Sequence, residues 1–469
     1  MRRAELLFAV VVLLLLSAAW GLDRLIPAHG AATAPARQPA GSFGLLSQAW
    51  YCPLPGSQGL ASTVSTVDLG RSGVHLRRSR TGAPAEADVG PGVLTAVPAA
   101  PAPATAPATA PATGPAIVEA FGQPTVSHLT VLSPTAGGAT SRCSQQPGAR
   151  WLFALASTSP GYDSYLMIAN PFLEEAVVTV RVLGAGGDQV PSGLNDMQIP
   201  PLSQTTVFLG DFYPQALSVG LDVTASRGRV IVGRLLKVAS RDGVRGISLD
   251  VGAPRPDVRW IIPGGAAPVQ GVEYVAVSNP SDREALVSML FQTESGAPPA
   301  GSEDVPVPAG GQALLKVSDK VPGGTRHGTI IFSTNGIPVV AERMTLEGQG
   351  AAQSFQSAFG VPAAASRWLV PAGSAAGGSD TLAIVADGPD KATCRITLMG
   401  PGGPSAPAPL ANVEVGAGKR GTVDLTPYLG GQPAMVMVEA VSGRIAVEND
   451  LGLPAAYRET MQMVGTPIE

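Results

Sequence analysis

From residue 150 onward the chain is a succession of short runs rich in Val, Ile, Leu and Thr, broken every 8–12 residues by Gly, Pro, Asn or Asp. Within the runs apolar and polar residues alternate with a period of two. That period sends successive side chains to opposite faces of an extended strand, and β-branched residues suit such a surface. Strands are predicted at 176–183, 205–209, 217–224, 230–236, 285–292, 312–317, 393–399 and 434–441.

The runs belong to a longer repeat. Arg-Trp followed by two apolar residues occurs at Arg150-Trp151, Arg259-Trp260 and Arg367-Trp368, spaced by 109 and 108 residues. Twenty residues after the first two arginines stand Asn170-Pro171 and Asn279-Pro280, each behind an apolar strand; the third copy has Gly388-Pro389 nearby. A Ser-containing turn ends in Gly228, Gly336 and Gly443, at 78, 77 and 76 residues from the respective arginine, and a strand-like run follows each time. Self-similarity at one period marks tandem copies of one unit. A unit of about 108 residues with six or seven short strands has the size of an immunoglobulin-like sandwich, although the Cys-Trp-Cys spacing of true immunoglobulin domains is missing. Residues 48–149 read as a divergent leading copy, with Trp50-Tyr51-Cys52-Pro53 as its opening.

Ahead of the repeats, residues 6–22 form an uncharged apolar run preceded by Arg2 and Arg3. Its length suits either an uncleaved membrane anchor or a cleaved signal peptide, and the arginines keep the N-terminus cytoplasmic and put the rest outside. The resulting map is a signal-anchor helix at 1–26, a Pro/Ala stalk at 27–47, a divergent β domain at 48–149 with a disordered Ala/Pro/Thr insertion at 98–115, and sandwich repeats at 150–258, 259–366 and 367–469. The expected fold class is all-β: tandem immunoglobulin-like sandwiches in a stiff row after one transmembrane helix.

Composition narrows the function. Only 14% of residues are charged and the net charge is -4, so no basic field exists for nucleic acid. Of three cysteines, Cys52 and Cys143 bracket one domain and are expected to pair outside the membrane, whereas Cys394 reads as a buried free thiol. The four histidines fall in no metal-ligand spacing, no nucleophile-elbow motif occurs, and Glu174-Glu175 reads as a solvated turn, so no catalytic, metal or cofactor residue is assigned. Three features admit sharper readings. Trp151, Trp260 and Trp368 either stack on glycan or pack under their own sheets. Arg71, His75, Arg77, Arg78 and Arg80 either meet an anionic surface or form an exposed hairpin face. Thr105, Thr109 and Thr113 either carry O-glycans or stand bare in the insertion. Arg234 and Arg343 recur late in the repeat, which suits strand-end or interdomain pairs.

The motif string of Arg-Trp, apolar strand with Asn-Pro, polar loop, and late Ser-x-Gly turn into 339–343 resembles the DUF5719 family of actinobacterial envelope proteins. The likeness covers 43–469, and Asn170-Pro171-Phe172 with the approach from Cys143 to Arg150 is its most specific part. The third copy departs at Gly388-Pro389 and at Glu448-Asn449, where the second has Glu342-Arg343. The resemblance implies an anchored surface protein and an actinobacterial source; 26 Arg against 5 Lys fits a high-GC genome. The reading is a non-catalytic, structural or protein-interaction ectodomain with the membrane and envelope proteins as partners. A module binding cell-wall polysaccharide is the alternative, and an extracytoplasmic hydrolase a distant third.

Overall fold

The computed structural model describes residues 47–468 apart from 57–58, 80–84, 100–113, 134, 296–297, 350–352, 374–377 and 454–459. The apolar run at 6–22, the stalk up to residue 46, Arg80, Thr105, Thr109 and Thr113 lie outside the described residues. Among the described residues no helix is long and apolar enough to cross a membrane.

The described chain is all-β, and its sheets fall into four pairs, one per unit. In the second unit, Gly187–Gln189, Ala176–Gly184, Val219–Arg227 and Arg150–Ala156 lie side by side in that order, opposite a layer of Ser203–Phe208, Tyr162–Asn170, Ile231–Ala239 and Arg245–Val251. The third and fourth units repeat the plan from Arg259 and Arg367, and the first unit builds its two four-stranded sheets between Gln48 and Arg142. Pairing is antiparallel throughout, except that Arg245–Val251 meets Ser354–Phe359 in parallel at Arg245 and Ser354 and so joins two units' sheets into one of eight strands. The glycine ending each Ser-containing turn has φ between 74° and 79°, a left-handed conformation that a side chain opposes.

Both ends of the expected insertion, 98–99 and 114–115, lie among the described residues, while 100–113 lie outside them. Pro98 and Ala99 continue the strand Leu94–Ala99 and pair with Thr63 and Ser62, while Pro115 is buried. Proline is accommodated because this strand lies at the edge of its sheet, where a missing N–H costs no ladder bond.

The expected stiff row is also overturned, and the opening strand of each repeat shows why. A strand that is apolar at consecutive positions must be buried on both faces. In Arg150–Ala156, Trp151 and Phe153 enter the second unit's own core, whereas Leu152, Ala154 and Leu155 enter the core of the third. In Arg259–Ile262, Trp260 and Ile262 stay at home and Ile261 enters the fourth unit's core. In Arg367–Ala372, Trp368 and Val370 stay at home and Leu369 enters the core of the first unit. Tyr51, beside Trp50 and Cys52 of the first unit's core, packs against that of the second. One device applied four times closes a ring, since the fourth unit's neighbour is the first.

The last strand of each unit turns inward. Gly137–Arg142, Arg245–Val251, Ser354–Phe359 and Thr460–Val464 touch in succession, and the last touches the first. Between them lies a cavity of about 40 Å³ lined by residues of all four strands, with Arg142, Asp250 and Gln462 among them.

Candidate functional site

The tryptophans anchor the repeats. Each indole N–H donates to the carbonyl at the start of the strand after the Ser-containing turn: Trp151 to Val230 at 2.8 Å, Trp260 to Val339 at 2.7 Å and Trp368 to Ile445 at 2.6 Å. Their exposures are 3%, 2% and 0%, so no ring face is open to a sugar. Of the two readings left by the sequence, packing is what these positions do. The Asn-Pro motif is likewise structural. Asn170 donates its amide to the carbonyls of Glu174, Ile199 and Pro200 and accepts from Phe172 N, and Asn279 repeats this with Arg283, Val307, Pro308 and Ser281. In the fourth unit Asp387 takes this place and receives the guanidinium of Arg259 from the third, at 2.6 and 3.1 Å.

Cys52 and Cys143 form a disulfide that ties the first opening strand to the end of the inward strand. Cys394 is a buried free thiol, pushed up to about 11 by burial. Two members of the basic cluster meet acidic side chains. His75 bonds Asp88 at 2.9 Å, Arg77 lies 3.6 Å from Glu119, and burial lowers the pKa of Arg78, two of whose guanidinium nitrogens are buried without a partner; Arg71 is exposed. The acids that meet His75 and Arg77 come from neighbouring strands, pairings that linear charge counting cannot see.

The late arginines stand between units. Counting from the residue that accepts the indole bond, the fourth residue on is Arg234, Arg343 or Asn449, and the third is Gly233, Glu342 or Glu448. The fourth-position residue of one unit pairs with the third-position residue of the next. Arg234 reaches Glu342 at 2.6 Å and Arg343 reaches Glu448 at 2.5 Å, all four side chains at most 2% exposed. Arg234 also holds Asp250 at 2.6 Å and donates to the Leu155 carbonyl. Burial, reinforced by the nearby Asp250 carboxylate, pushes Glu342 up to about 8 against the pull of Arg234. A second device spans these two seams and the one between the first and second units. Gln204 brackets Leu54 of the first unit, accepting from its N–H at 3.0 Å and donating to its carbonyl at 2.6 Å, Gln312 donates to the Ala154 carbonyl at 2.6 Å, and Arg420 donates to that of Pro263 at 3.2 Å.

Between the third and fourth units Glu448 and Arg420 line a cavity of about 150 Å³. Arg343 bonds two of the cavity's lining residues, Glu448 and Gln462, while Glu448 also accepts from Gly264 N at 2.8 Å. A side chain at Gly264 would meet that carboxylate and force it to shift from its bonds to Arg343 and Gly264 N. Arg420 is fixed by Thr422 at 2.6 Å and by Glu294. Asp450 faces the space with one buried oxygen that has no hydrogen-bond partner, and burial together with Glu448 pushes its pKa up to about 6.

None of the cleft residues was singled out from sequence except Glu448, noted as a departure from the repeat. Repeat register could have found Glu342 beside it. Nothing local marks Asp450 and Gln462, which sit on paired strands, or Arg326, which comes from a distant loop of the neighbouring unit.

Taken together, the fold defines a protein built from four two-sheet units closed into a ring, with its buried charges at the joints. The chain belongs to the DUF5719 family, a family of unknown function, whose profile matches residues 96–246 and 236–452. No curated protein matches it significantly in sequence. Among solved structures it is similar to a Streptomyces avermitilis alpha-L-rhamnosidase complexed with L-rhamnose at 12% identity and a TM-score of 0.14. That match covers 71% of this chain and 39% of that enzyme, and at such a score it carries no argument.

Proposed function

We propose that this chain is a non-catalytic cell-envelope protein whose ring of immunoglobulin-like sandwiches is a docking platform for envelope proteins. Residues 6–22 hold it at the outer side of the membrane, or are removed to release it. The observation that carries this reading is the Cys52–Cys143 disulfide, because such bonds persist where the surroundings are oxidising. Supporting it, the buried charges Arg234, Glu342, Arg343 and Glu448 are consumed in joining units. Exposed apolar side chains offer contact area: Leu173 and Leu202 are 80% and 55% exposed, on segments linked by the bond from Leu202 N to the Phe172 carbonyl.

The test is protease treatment of intact cells producing the full chain, followed by cross-linking of the surface-exposed protein to its neighbours. Digestion from outside and reproducible capture of a membrane or wall protein support the reading. Complete protection in cells whose surface proteins are digested contradicts it.

A second reading, recognition of cell-wall polysaccharide, draws support from the polar cleft between the third and fourth units. It moves the sugar contact away from the buried tryptophans.

A further inference from the structure

The cleft exists because one unit departs from its copies. Thr381, Asp450 and Gln462 lie opposite one another on three adjacent strands of the fourth unit, so their side chains share one face. At the matching positions the second unit has Tyr165, Leu235 and Leu249, which pack against the first unit's core. The third unit has Tyr274, Met344 and Ser357. At the first two positions both other units therefore place large side chains, Tyr165 and Leu235 or Tyr274 and Met344, where the fourth places Thr381 and Asp450, and the joint is left with a cavity of about 150 Å³. In liquid terms that is the space of about five waters.

The chemistry of the walls is mixed. Asp450 offers a buried acceptor oxygen that has no hydrogen-bond donor among the described residues, and such an atom favours an occupant that donates to it. Thr381 and Ser379 add hydroxyls, and Arg326 stands exposed at the rim with its guanidinium. An occupant must donate hydrogen bonds in the interior and present negative charge at the mouth.

We propose that this cleft binds one hydroxyl-rich saccharide unit bearing a carboxylate, with its hydroxyls on Asp450, Thr381 and Ser379 and its carboxylate on Arg326. This deepens the polysaccharide reading above and rests on it. Arginine suits the carboxylate because its planar fork pairs with two oxygens.

The test is titration of the full chain at pH 7 with trigalacturonate, and with maltotriose as the neutral counterpart, read by calorimetry and by saturation-transfer NMR. Saturable binding of trigalacturonate and at least tenfold weaker binding of maltotriose is expected. Arg326→Ala is expected to cost about tenfold in affinity and Asp450→Asn at least fivefold, with unchanged melting of the surface Arg326→Ala variant showing that the fold is intact. Absence of saturable binding, equal binding of the two sugars, or affinity indifferent to both substitutions overturns the proposal. None of those failures touches the docking platform, which stands or falls on surface digestion and captured neighbours.

Discussion

The joint between the third and fourth units and the joint between the fourth and first use the same strand positions with opposite chemistry. At the former, Arg343 projects into the next unit and meets Glu448. At the latter, Asn449 occupies the arginine's position and turns back to donate to the Pro371 carbonyl of its own unit at 2.7 Å. The glutamate's position is filled by His128, fully buried, whose Nε2 lies 3.1 Å from Thr466 Oγ1. Burial, with the nearby Arg142, lowers the His128 pKa to about 3, so the ring is neutral there. The first unit is held by apolar contact instead: its core takes in Leu369, Met399 and Met435 from the fourth unit and Met167, Leu235, Ile247 and Leu249 from the second. Buried arginine–carboxyl contacts bridge two joints, and apolar area dominates at the others. An apolar seam tolerates a divergent unit, whereas a charge pair demands one partner in one place.

The largest effect should come from breaking the charged joints. Arg343→Ala leaves Glu448 buried without its cation, a loss of about 3–5 kcal/mol, and Arg234→Ala should destabilise in the same direction by taking the cation from Asp250 and a hydrogen-bond donor from Glu342. Denaturant titration of each variant checks this, and a shift below about 1 kcal/mol would mean the pairs are idle. Next in size, Gln204→Leu removes both bonds to the Leu54 backbone and strands a buried N–H and carbonyl, for about 1–3 kcal/mol. Hydrogen exchange should localise the loss to the first unit and its seam with the second.

Acidity separates the joints further. Glu342 has an ordinary pKa of 4.5 and titrates at about 8 in the fold, so between those values the folded chain binds more protons than the unfolded one. Its contribution is therefore complete at low pH and drains away as pH rises through about 8. His128 has the reverse sign: ordinary value 6.5, lowered to about 3, so its contribution is present above 6.5 and is lost as pH falls toward 3. Melting of Glu342→Gln across pH 5–9 should lack the wild-type decline, and His128→Asn should flatten the acid limb. The smallest change expected is for Thr466→Val, about 1 kcal/mol or less for one partly buried hydrogen bond.

Much of this architecture was legible because repetition amplifies weak signals. Arg-Trp spacing located the opening strands, and period-two runs matched Ala176–Gly184, Ala285–Thr293 and Ala434–Ser442 to within a residue or two. The late arginines suggested interdomain pairs, which Arg234 and Arg343 make. Ring closure was hidden, although the uninterrupted apolar run after each Arg-Trp carried the clue: Leu152 and Ile261 had to be buried against something, and a sequence does not say what. The cleft was less visible still. Asp450, Gln462 and Arg326 acquire meaning only when three strands and a loop of the neighbouring unit are brought together, and a raised carboxyl comes from burial that no local pattern reveals.

Small-angle scattering of the folded unit, Leu45–Glu469, tests the closed ring most directly. A compact chain of this length has a radius of gyration of about 22 Å, and the ring predicts a value near it that stays unchanged on dilution. A row of four units, each about 30 Å long from nine-residue strands, would extend beyond about 100 Å; a scattering profile of that length from a monomer would contradict the closure of the fourth unit on the first.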